Sequence, residues 1–279
     1  MSKLTPKISL VIIASLMLVI LSSATITAQT TPEIQLLQPE VIAVYPHDSG
    51  SFTQGLVWDN GVFYESAGQY NESDVRKVNP ETGEVLAIRD LNRIFFAEGL
   101  ALVDDRLIQI TWQTGLAFVY DRDTLAYERL FRYEGEGWGL CYDGSELYMS
   151  DGTEYISVRD PQTFELIRQI PVTYQNESIA GFSLQGRALD ELNELECVDD
   201  SLYVNVWQTD GILIIDKATG AITGLIDAAQ LLTEEERAAL PYSAVLNGIA
   251  YNPDDDVFYL TGKYWPKLFE VRFVPIPEN

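Results

Sequence analysis

The sequence predicts an all-β protein, a five-bladed β-propeller whose ring is closed by an N-terminal strand that completes the last blade. Three observations lead to this prediction. Short runs of Val, Ile, Tyr and Phe alternate with Asp, Asn and Gly along most of the chain, a pattern typical of strands and turns. A tripeptide of the form x-Gly-Leu, or a close variant, recurs five times at spacings of 44, 40, 55 and 54 residues. Four short strands fit within each spacing, as they do in a propeller blade.

The first 28 residues have the pattern of a secretory signal. Lys3 and Lys7 precede an apolar stretch from Ile8 to Leu21, and small residues follow with cleavage expected after Ala24 or Ala28. We therefore assign residues 1–28 to a signal peptide, 29–37 to a linker and 38–279 to a single propeller domain. The expected location is secreted or periplasmic, with no stable membrane association after cleavage. The alternative is a membrane anchor, because the apolar run is long for a cleaved signal.

The repeated tripeptide opens the first strand of each predicted blade. Its five copies are Gln54-Gly55-Leu56, Glu98-Gly99-Leu100, Trp138-Gly139-Leu140, Asn193-Glu194-Leu195 and Asn247-Gly248-Ile249. A polar turn then leads to a second strand, predicted at Val62–Tyr64, Leu107–Ile110, Leu147–Met149, Leu202–Val206 and Val257–Leu260. In four units a third strand runs into an Asn/Asp-x-x-Thr turn, from which a fourth strand departs. The predicted fourth strands are Glu84–Ile88, Tyr127–Phe131, Phe164–Ile170 and Ala221–Ile226.

The fifth unit lacks a fourth strand, because the chain ends too soon. The segment Glu40–Tyr45 resembles the fourth strands and precedes the first unit, so we expect it to complete the last blade and leave no open edge. One helix is predicted at Leu232–Leu240, where Thr233 and Glu236 form a capping box. A β-sandwich would explain neither the five-fold recurrence nor the displaced strand.

Composition excludes several classes of function. The 279 residues include 42 Asp and Glu against 18 Lys and Arg, and the net charge of −24 argues against nucleic acid and anionic lipid as partners. One His and two Cys cannot build a multi-His metal site or a Cys₄ zinc site. Cys141 and Cys197 either form a disulfide in an exported protein or remain two buried thiols.

Blade geometry brings the chemically useful residues to one face. Strands alternate in direction within a blade, so the start of each first strand and the end of each second strand meet at the same mouth of the central channel. The first-strand starts carry Gln54, Glu98, Trp138, Asn193 and Asn247, and the second-strand ends carry Trp112, Trp207 and Lys263. Such a set predicts a concave pocket with a few directed polar groups. The alternative roles are blade packing for Trp112 and Trp138, a solvated carboxylate for Glu98, turn capping for Asn193 and Asn247, backbone hydrogen bonding for Gln54 and surface pairing for Lys263. His47 is expected to be a hydrogen-bonding loop residue.

In this order and at this spacing, several short motifs resemble one family over residues 38–273, the plant and bacterial glutaminyl-peptide cyclotransferases. The motifs are Phe52-Thr53-Gln54-Gly55-Leu56, Phe96-Ala97-Glu98-Gly99-Leu100, Gly137-Trp138-Gly139-Leu140, Leu192-Asn193-Glu194-Leu195-Glu196, Asn205-Val206-Trp207 and Leu246-Asn247-Gly248-Ile249-Ala250. The resemblance implies a five-bladed propeller that converts the N-terminal glutamine of peptides or proteins to pyroglutamate and releases ammonia. It also implies a metal-free enzyme without a cofactor, and we expect a monomer.

The resemblance implies a role for each pocket residue. Glu98 is the acid/base carboxylate, and we expect Lys263 and Asn193 to stabilise the oxyanion. The substrate-binding residues are Phe52, Gln54, Phe96, Trp112, Trp138 and Trp207. Asn247 joins this set through the repeat alignment alone. Two other functions stay open: a non-enzymatic secreted propeller that binds a peptide at the channel mouth, and a metal-dependent lactonase-type hydrolase, which the single channel carboxylate disfavours.

Overall fold

A computed structural model describes residues 34–173 and 190–277 of the protein. The described residues form twenty β-strands, one short α-helix and one 3₁₀ helix. The predicted signal peptide lies outside the described residues, as does most of the connection between residues 173 and 192. No helix in the described ranges is long and apolar enough to cross a membrane.

Three antiparallel sheets contain four strands each, in chain order. The first sheet comprises β2 (Thr53–Asp59), β3 (Val62–Ala67), β4 (Asp74–Val78) and β5 (Val85–Asp90). The second comprises β6 (Ala97–Val103), β7 (Arg106–Thr111), β8 (Leu116–Asp121) and β9 (Tyr127–Arg132). The third comprises β10 (Leu140–Tyr142), β11 (Leu147–Met149), β12 (Tyr155–Arg159) and β13 (Leu166–Pro171). These sheets have the order predicted for the first three repeat units.

The remaining strands form one eight-stranded sheet in the order β14-β15-β16-β17-β1-β20-β19-β18. Its strands are β1 (Gln35–Pro46), β14 (Leu192–Val198), β15 (Ser201–Val206), β16 (Gly211–Asp216), β17 (Ile222–Asp227), β18 (Leu246–Asn252), β19 (Val257–Gly262) and β20 (Lys267–Pro275). The N-terminal strand β1 pairs antiparallel with β20, which is the pairing predicted for Glu40–Tyr45. It begins at Gln35, within the segment assigned to a linker, and its first three residues also pair in parallel with β17.

The first strands of the repeat units contact one another in cyclic order, β2 to β6 to β10 to β14 to β18 and back to β2. The glycines of the repeated tripeptide allow this close approach. A Cβ atom at Gly55 would lie 2.5 Å from the backbone nitrogen of Leu100, and one at Gly99 would lie 2.5 Å from that of Leu140. The described residues therefore form a propeller-like arrangement of sheets around a set of closely packed inner strands.

Apolar side chains between neighbouring sheets form the core, and a disulfide strengthens one of these contacts. Cys141 of β10 and Cys197 of β14 are bonded, with their Cα atoms 5.6 Å apart. The pairing alternative for these two residues is therefore confirmed. The bridge joins the first strands of two successive repeat units.

The predicted helix is confirmed as α1 (Glu234–Ala239), preceded by the 3₁₀ turn η1 (Ala229–Leu231). The hydroxyl of Thr233 accepts a hydrogen bond from the backbone N–H of Glu236, and the Glu236 carboxylate accepts one from the backbone N–H of Thr233. This reciprocal capping box satisfies two donors that the helix itself leaves unpaired.

Candidate active site

The carboxyl group of Glu98 lies near the start of β6 and is almost completely buried, with 4% of the residue exposed. No hydrogen bond to its side chain is present within the described residues. Burial raises its pKa well above the ordinary value, the charge of Lys263 opposes that rise, and the charge of Glu136 adds to it. A buried carboxyl group with a raised pKa is a candidate for taking up and releasing a proton during a reaction.

Lys263 directly follows β19 and is 2% exposed. Burial lowers the pKa of its amine to about 8, and the charge of Glu98 opposes this decrease. Its Nζ atom lies 4.7 Å from the centre of the Phe52 ring. Because Lys263 makes no ion pair within 4.0 Å in the described ranges, its ammonium interacts with the Glu98 carboxylate through space and stays free to meet a ligand.

Aromatic rings near this pair form a wall in two parts, the first of which contacts Lys263 through Phe52. On one side, edge-to-face contacts connect Tyr264 to Phe52 at 5.2 Å, Phe52 to Phe96 at 5.9 Å, and Phe96 to Trp112 at 5.6 Å between ring centres. On the other side, Trp138 and Trp207 pack edge to face at 5.7 Å. Such a wall excludes water and provides flat surfaces against which a short side chain can be held.

Glu136 joins the two sides of the aromatic wall. Its Oε2 atom accepts hydrogen bonds from the indole N–H of Trp112 at 2.7 Å and from that of Trp138 at 3.0 Å. Its Oε1 atom accepts a third from the side-chain amide of Gln113 at 3.1 Å. These three bonds contribute to lowering the pKa of Glu136, so the group stays ionised close to Glu98. The sequence analysis did not identify this residue.

Three buried amides complete the site. The Nδ2 atom of Asn247 donates to the backbone oxygen of Thr53 at 2.9 Å and to Oε1 of Gln54 at 3.2 Å. Asn247 therefore holds Gln54 in place. The side chain of Asn193 has no hydrogen-bond partner among the described residues, and its Oδ1 atom is fully buried. A buried amide without a partner is rare, which makes Asn193 a candidate for binding a ligand.

The structure brings all ten sequence-predicted site residues into one connected group. The interactions above link seven of them directly or through Glu136, namely Glu98, Lys263, Phe52, Phe96, Trp112, Trp138 and Trp207. Gln54 and Asn247 bond to each other and join the group through Thr53, the residue after Phe52. Asn193 joins through its backbone: the hydroxyl of Ser150 donates to the Asn193 oxygen at 2.6 Å and accepts from the N–H of Gly139 at 2.7 Å, next to Trp138. Sequence reasoning missed Glu136 and Tyr264. Glu136 stands two residues before Trp138, in a connection outside the repeat, so the repeat did not mark it.

His47 forms hydrogen bonds next to the site, as expected for a hydrogen-bonding loop residue. Its Nδ1 atom lies 2.7 Å from the backbone oxygen of Trp265, and its Nε2 atom lies 3.2 Å from Oε1 of Glu65. The same Glu65 oxygen accepts a hydrogen bond from the hydroxyl of Thr53 at 2.7 Å. This network fixes the segment that carries Phe52 against the turn that carries Lys263.

Across residues 34–173 and 190–277, no group of three or more His, Cys, Asp or Glu side chains is arranged to hold a metal ion.

Three comparisons with known proteins found similar proteins of one kind. A family model described as glutamine cyclotransferase matches residues 12–273. A glutaminyl-peptide cyclotransferase of Arabidopsis thaliana is 37% identical over 235 residues, which is 84% of this chain and 70% of that protein. The crystal structure of a glutaminyl cyclase from Myxococcus xanthus superposes with a TM-score of 0.78 at 37% identity, and the match covers 88% of this chain and 100% of that chain.

Proposed function

The chain belongs to the glutamine cyclotransferase family, and on that basis we propose that it is a glutaminyl-peptide cyclotransferase. This enzyme is an acyltransferase that converts the N-terminal glutamine of a peptide or protein to pyroglutamate and releases ammonia. The observation that carries the proposal at the level of residues is the buried Glu98 beside Lys263, inside an aromatic wall. A site of this kind suits a reaction that needs proton transfer and the exclusion of water.

We also propose that the fold is a five-bladed propeller. The cyclic contacts among β2, β6, β10, β14 and β18 support five blades, with each of these strands innermost in its blade. The pairing of β1 with β20 supports closure of the fifth blade by the N-terminal strand. In this arrangement the eight-stranded sheet contains two blades, which β1 connects.

The reaction needs little from the protein besides placement and proton transfer. The substrate carries its own nucleophile, the α-amine, and its own electrophile, the γ-amide carbon. A bond forms between the amine nitrogen and that carbon, the bond from the carbon to the amide nitrogen breaks, and ammonia leaves. Holding the glutamine side chain in the cyclic conformer supplies much of the rate, because the attack is intramolecular. The rings of Phe96, Trp112, Trp138 and Trp207 supply that placement.

Glu98 moves the proton between the two nitrogens. Its carboxylate takes a proton from the α-amine as the amine attacks, and then donates it to the departing amide nitrogen. The raised pKa of Glu98 suits both steps. Lys263 Nζ and Asn193 Nδ2 donate to the oxyanion, since neither has a hydrogen-bond partner within the described residues. Gln54, held by Asn247, orients the amide.

A direct assay tests the activity. The purified protein is incubated with a Gln-initiated peptide, with and without a chelator, and mass spectrometry follows the loss of one ammonia. We expect product in both conditions, since the proposed mechanism uses only side chains. Absence of product from several Gln-initiated peptides would favour a peptide-binding propeller without activity, and loss of product with the chelator would favour a metal-dependent enzyme.

Substitution of the proposed proton carrier tests the mechanism. We expect Glu98→Gln to lower kcat by about a thousandfold or more, because the amide cannot shuttle a proton. The fold should persist, since Gln is nearly isosteric and removes a costly buried charge. The matched control is Glu128→Gln, at an exposed carboxylate that pairs with Arg106 on the outer part of the second sheet. Turnover like that of the wild type in Glu98→Gln would refute the shuttle.

We propose further that the protein is exported, either secreted or periplasmic, with residues 1–28 as its signal. The disulfide between Cys141 and Cys197 supports this location, because such bonds persist in oxidising compartments.

A further inference from the structure

A second concave site lies beside the aromatic wall. It is a groove of about 410 Å³ that runs between the end of β9 and the strands β12 and β13. We name it the Arg159 groove, and its lining includes Arg132, Tyr133, Glu136, Asp151, Arg159 and Phe164. Glu136 belongs to both sites, since its carboxylate also accepts the indole N–H bonds of Trp112 and Trp138. The Arg159 groove therefore adjoins the aromatic wall at Glu136.

Arg159 is the unusual residue of this groove, because the repeat predicts an apolar side chain at its position. Directly before the Asn/Asp-x-x-Thr turn, the other units carry Val78, Tyr120 and Ile215, all of which are buried in the apolar core. Only the third unit places a cation there. Blade packing alone explains the apolar residues at this position and does not explain an arginine.

The guanidinium of Arg159 is buried and largely unpaired. The residue is 7% exposed, and its guanidinium lies against the rings of both Tyr133 and Phe164, at 5.3 Å and 5.1 Å from their centres. Its Nη1 atom donates to the backbone oxygen of Phe164 at 3.1 Å. Its Nε atom has no partner, and no carboxylate lies within ion-pair distance among the described residues. Its Nη2 atom likewise has no acceptor there. Unpaired buried donors of a charged group are costly, so a ligand that supplies acceptors would bind favourably.

The charges around the groove restrict what that ligand can be. Arg132 and Arg159 face the carboxylates of Glu134, Glu136, Asp151 and Glu165. Four carboxylates against two guanidiniums disfavour an anion and favour a neutral or cationic chain. The backbone of a peptide offers neutral carbonyl acceptors for Arg159. Basic side chains of the same peptide can pair with the carboxylates of Glu134, Glu136, Asp151 and Glu165, which we call the acidic rim.

We propose that the Arg159 groove binds the part of a peptide substrate that follows the N-terminal glutamine. Arg159 donates hydrogen bonds to backbone carbonyl oxygens of that part, and the acidic rim selects for Lys or Arg at the second and third positions. This inference rests on the proposed function, because it takes the aromatic pocket as the site of the glutamine.

The test compares substrates that reach the groove with one that does not. Glutamine amide ends at the pocket, whereas Gln-Lys-Lys-Ala and Gln-Glu-Glu-Ala extend beyond it. For the wild type we expect kcat/KM to be about tenfold higher for the lysine peptide than for the glutamate peptide. Equal values for the two peptides would overturn the inference of an acidic, selective groove.

Variants then assign the effect to Arg159. In Arg159→Met, the ratio of kcat/KM for Gln-Lys-Lys-Ala to that for glutamine amide should fall about tenfold, as expected for the loss of one charge-assisted hydrogen bond. The matched control is Arg129→Met, because Arg129 also covers an aromatic ring, that of Phe131, but does not line the groove. An unchanged ratio in folded Arg159→Met would contradict the role of Arg159.

Two further measurements test the groove if Arg159→Met does not fold or if the protein shows no turnover. If Arg159→Met does not fold, the double variant Asp151→Asn, Glu165→Gln should still reduce the preference for the lysine peptide, and an unchanged preference would refute the acidic rim. Turnover of none of the three substrates would contradict the proposed function instead. Tryptophan fluorescence would then measure binding of the same peptides, and tighter binding of the lysine peptide would still support the groove.

Discussion

At the scale of residues, the candidate site combines two buried ionisable groups of opposite charge, whose pKa values burial shifts in opposite directions. Burial raises the pKa of Glu98 and lowers that of Lys263 to about 8. Each group also feels the charge of the other, which limits both changes. Because the ammonium does not form a close ion pair with the carboxylate, each remains available for its own part of the reaction. Burying these two ionisable groups lowers the stability of the fold, but it gives each group a proton affinity that suits the reaction.

The pKa of Lys263 leads to a pH prediction. If the ammonium stabilises the oxyanion, kcat should fall as the pH rises through about 8. Stability should change in the opposite direction, because between pH 8 and about 10.5, the ordinary pKa of a lysine, the unfolded chain holds a proton that the folded chain has released. Loss of activity in this range would therefore not result from unfolding. Measurements of kcat and of the urea midpoint across this range test both statements.

Two variants of Lys263 serve as tests of this assignment. Lys263→Arg keeps its charge at alkaline pH, so the decrease in kcat near pH 8 should disappear. Lys263→Met should lower kcat about a hundredfold below pH 8, where the wild-type amine is charged, since one oxyanion donor is lost, and the difference should shrink above pH 8. If the decrease near pH 8 persists in Lys263→Arg, another group is responsible for it.

The sequence identified most site residues because the repeat marks their positions. Glu98, Trp138 and Asn193 stand at the same point of successive units, so their meeting follows from the fold alone. Glu136 stands in a connection outside the repeat and is one of 42 acidic residues, so no pattern separates it from surface charges. Only the geometry of the two indole N–H groups shows what it binds.

At the scale of elements, the repeated tripeptide allows the first strands of neighbouring units to pack closely. The pairing of the first and second strands shifts register at this tripeptide in four units, for example between Ala97 and Leu100. Such bulges bend the strand and release backbone N–H groups from the ladder. The exceptional Glu194 uses two of these groups, since its carboxylate accepts from Ile249 at 2.8 Å and from Leu56 at 3.3 Å. The sequence showed this departure from glycine, but the two distant partners follow only from the closed arrangement.

The close approach of inner strands predicts the effect of a single added methyl group. In Gly99→Ala the new Cβ would lie 2.5 Å from the nitrogen of Leu140 and 2.6 Å from the carbonyl carbon of Gly139. Both atoms belong to backbone that cannot move without disturbing the next sheet. We expect a loss of about 3 kcal/mol in the free energy of unfolding, measured by urea titration.

Gly50→Ala is the control for this substitution. Its nearest contact would be Oδ1 of the Asp48 side chain at 3.2 Å, and this side chain can move. We expect a change within about 0.5 kcal/mol. Equal midpoints for Gly99→Ala and Gly50→Ala would show that the inner strands are not packed as closely as described.

At the scale of the whole molecule, the ends of the chain hold the last sheet together. The need for a closing strand was predictable, because the fifth unit has one strand fewer than the others. The parallel pairing of residues 35–37 with β17 was not predictable, since it joins two neighbouring repeat units and has no counterpart in the repeat. The sequence also left the disulfide undecided. Its two cysteines are separated by 56 residues and can meet only if β10 and β14 are neighbours in the fold.

Two truncated chains test this closure. A chain that begins at Ile34 retains β1 entirely, so we expect it to fold and to release ammonia from a Gln-initiated peptide as the full chain does. A chain that begins at His47 lacks β1 and leaves the nine residues of β20 with an unpaired edge. Its thermal midpoint should fall by about 10 °C or more, with association visible by size-exclusion chromatography. A synthetic peptide of residues 34–46 should restore the midpoint by adding the missing strand in trans. If the chain from His47 melts at the same temperature as the chain from Ile34, β1 does not stabilise the fold by closing it.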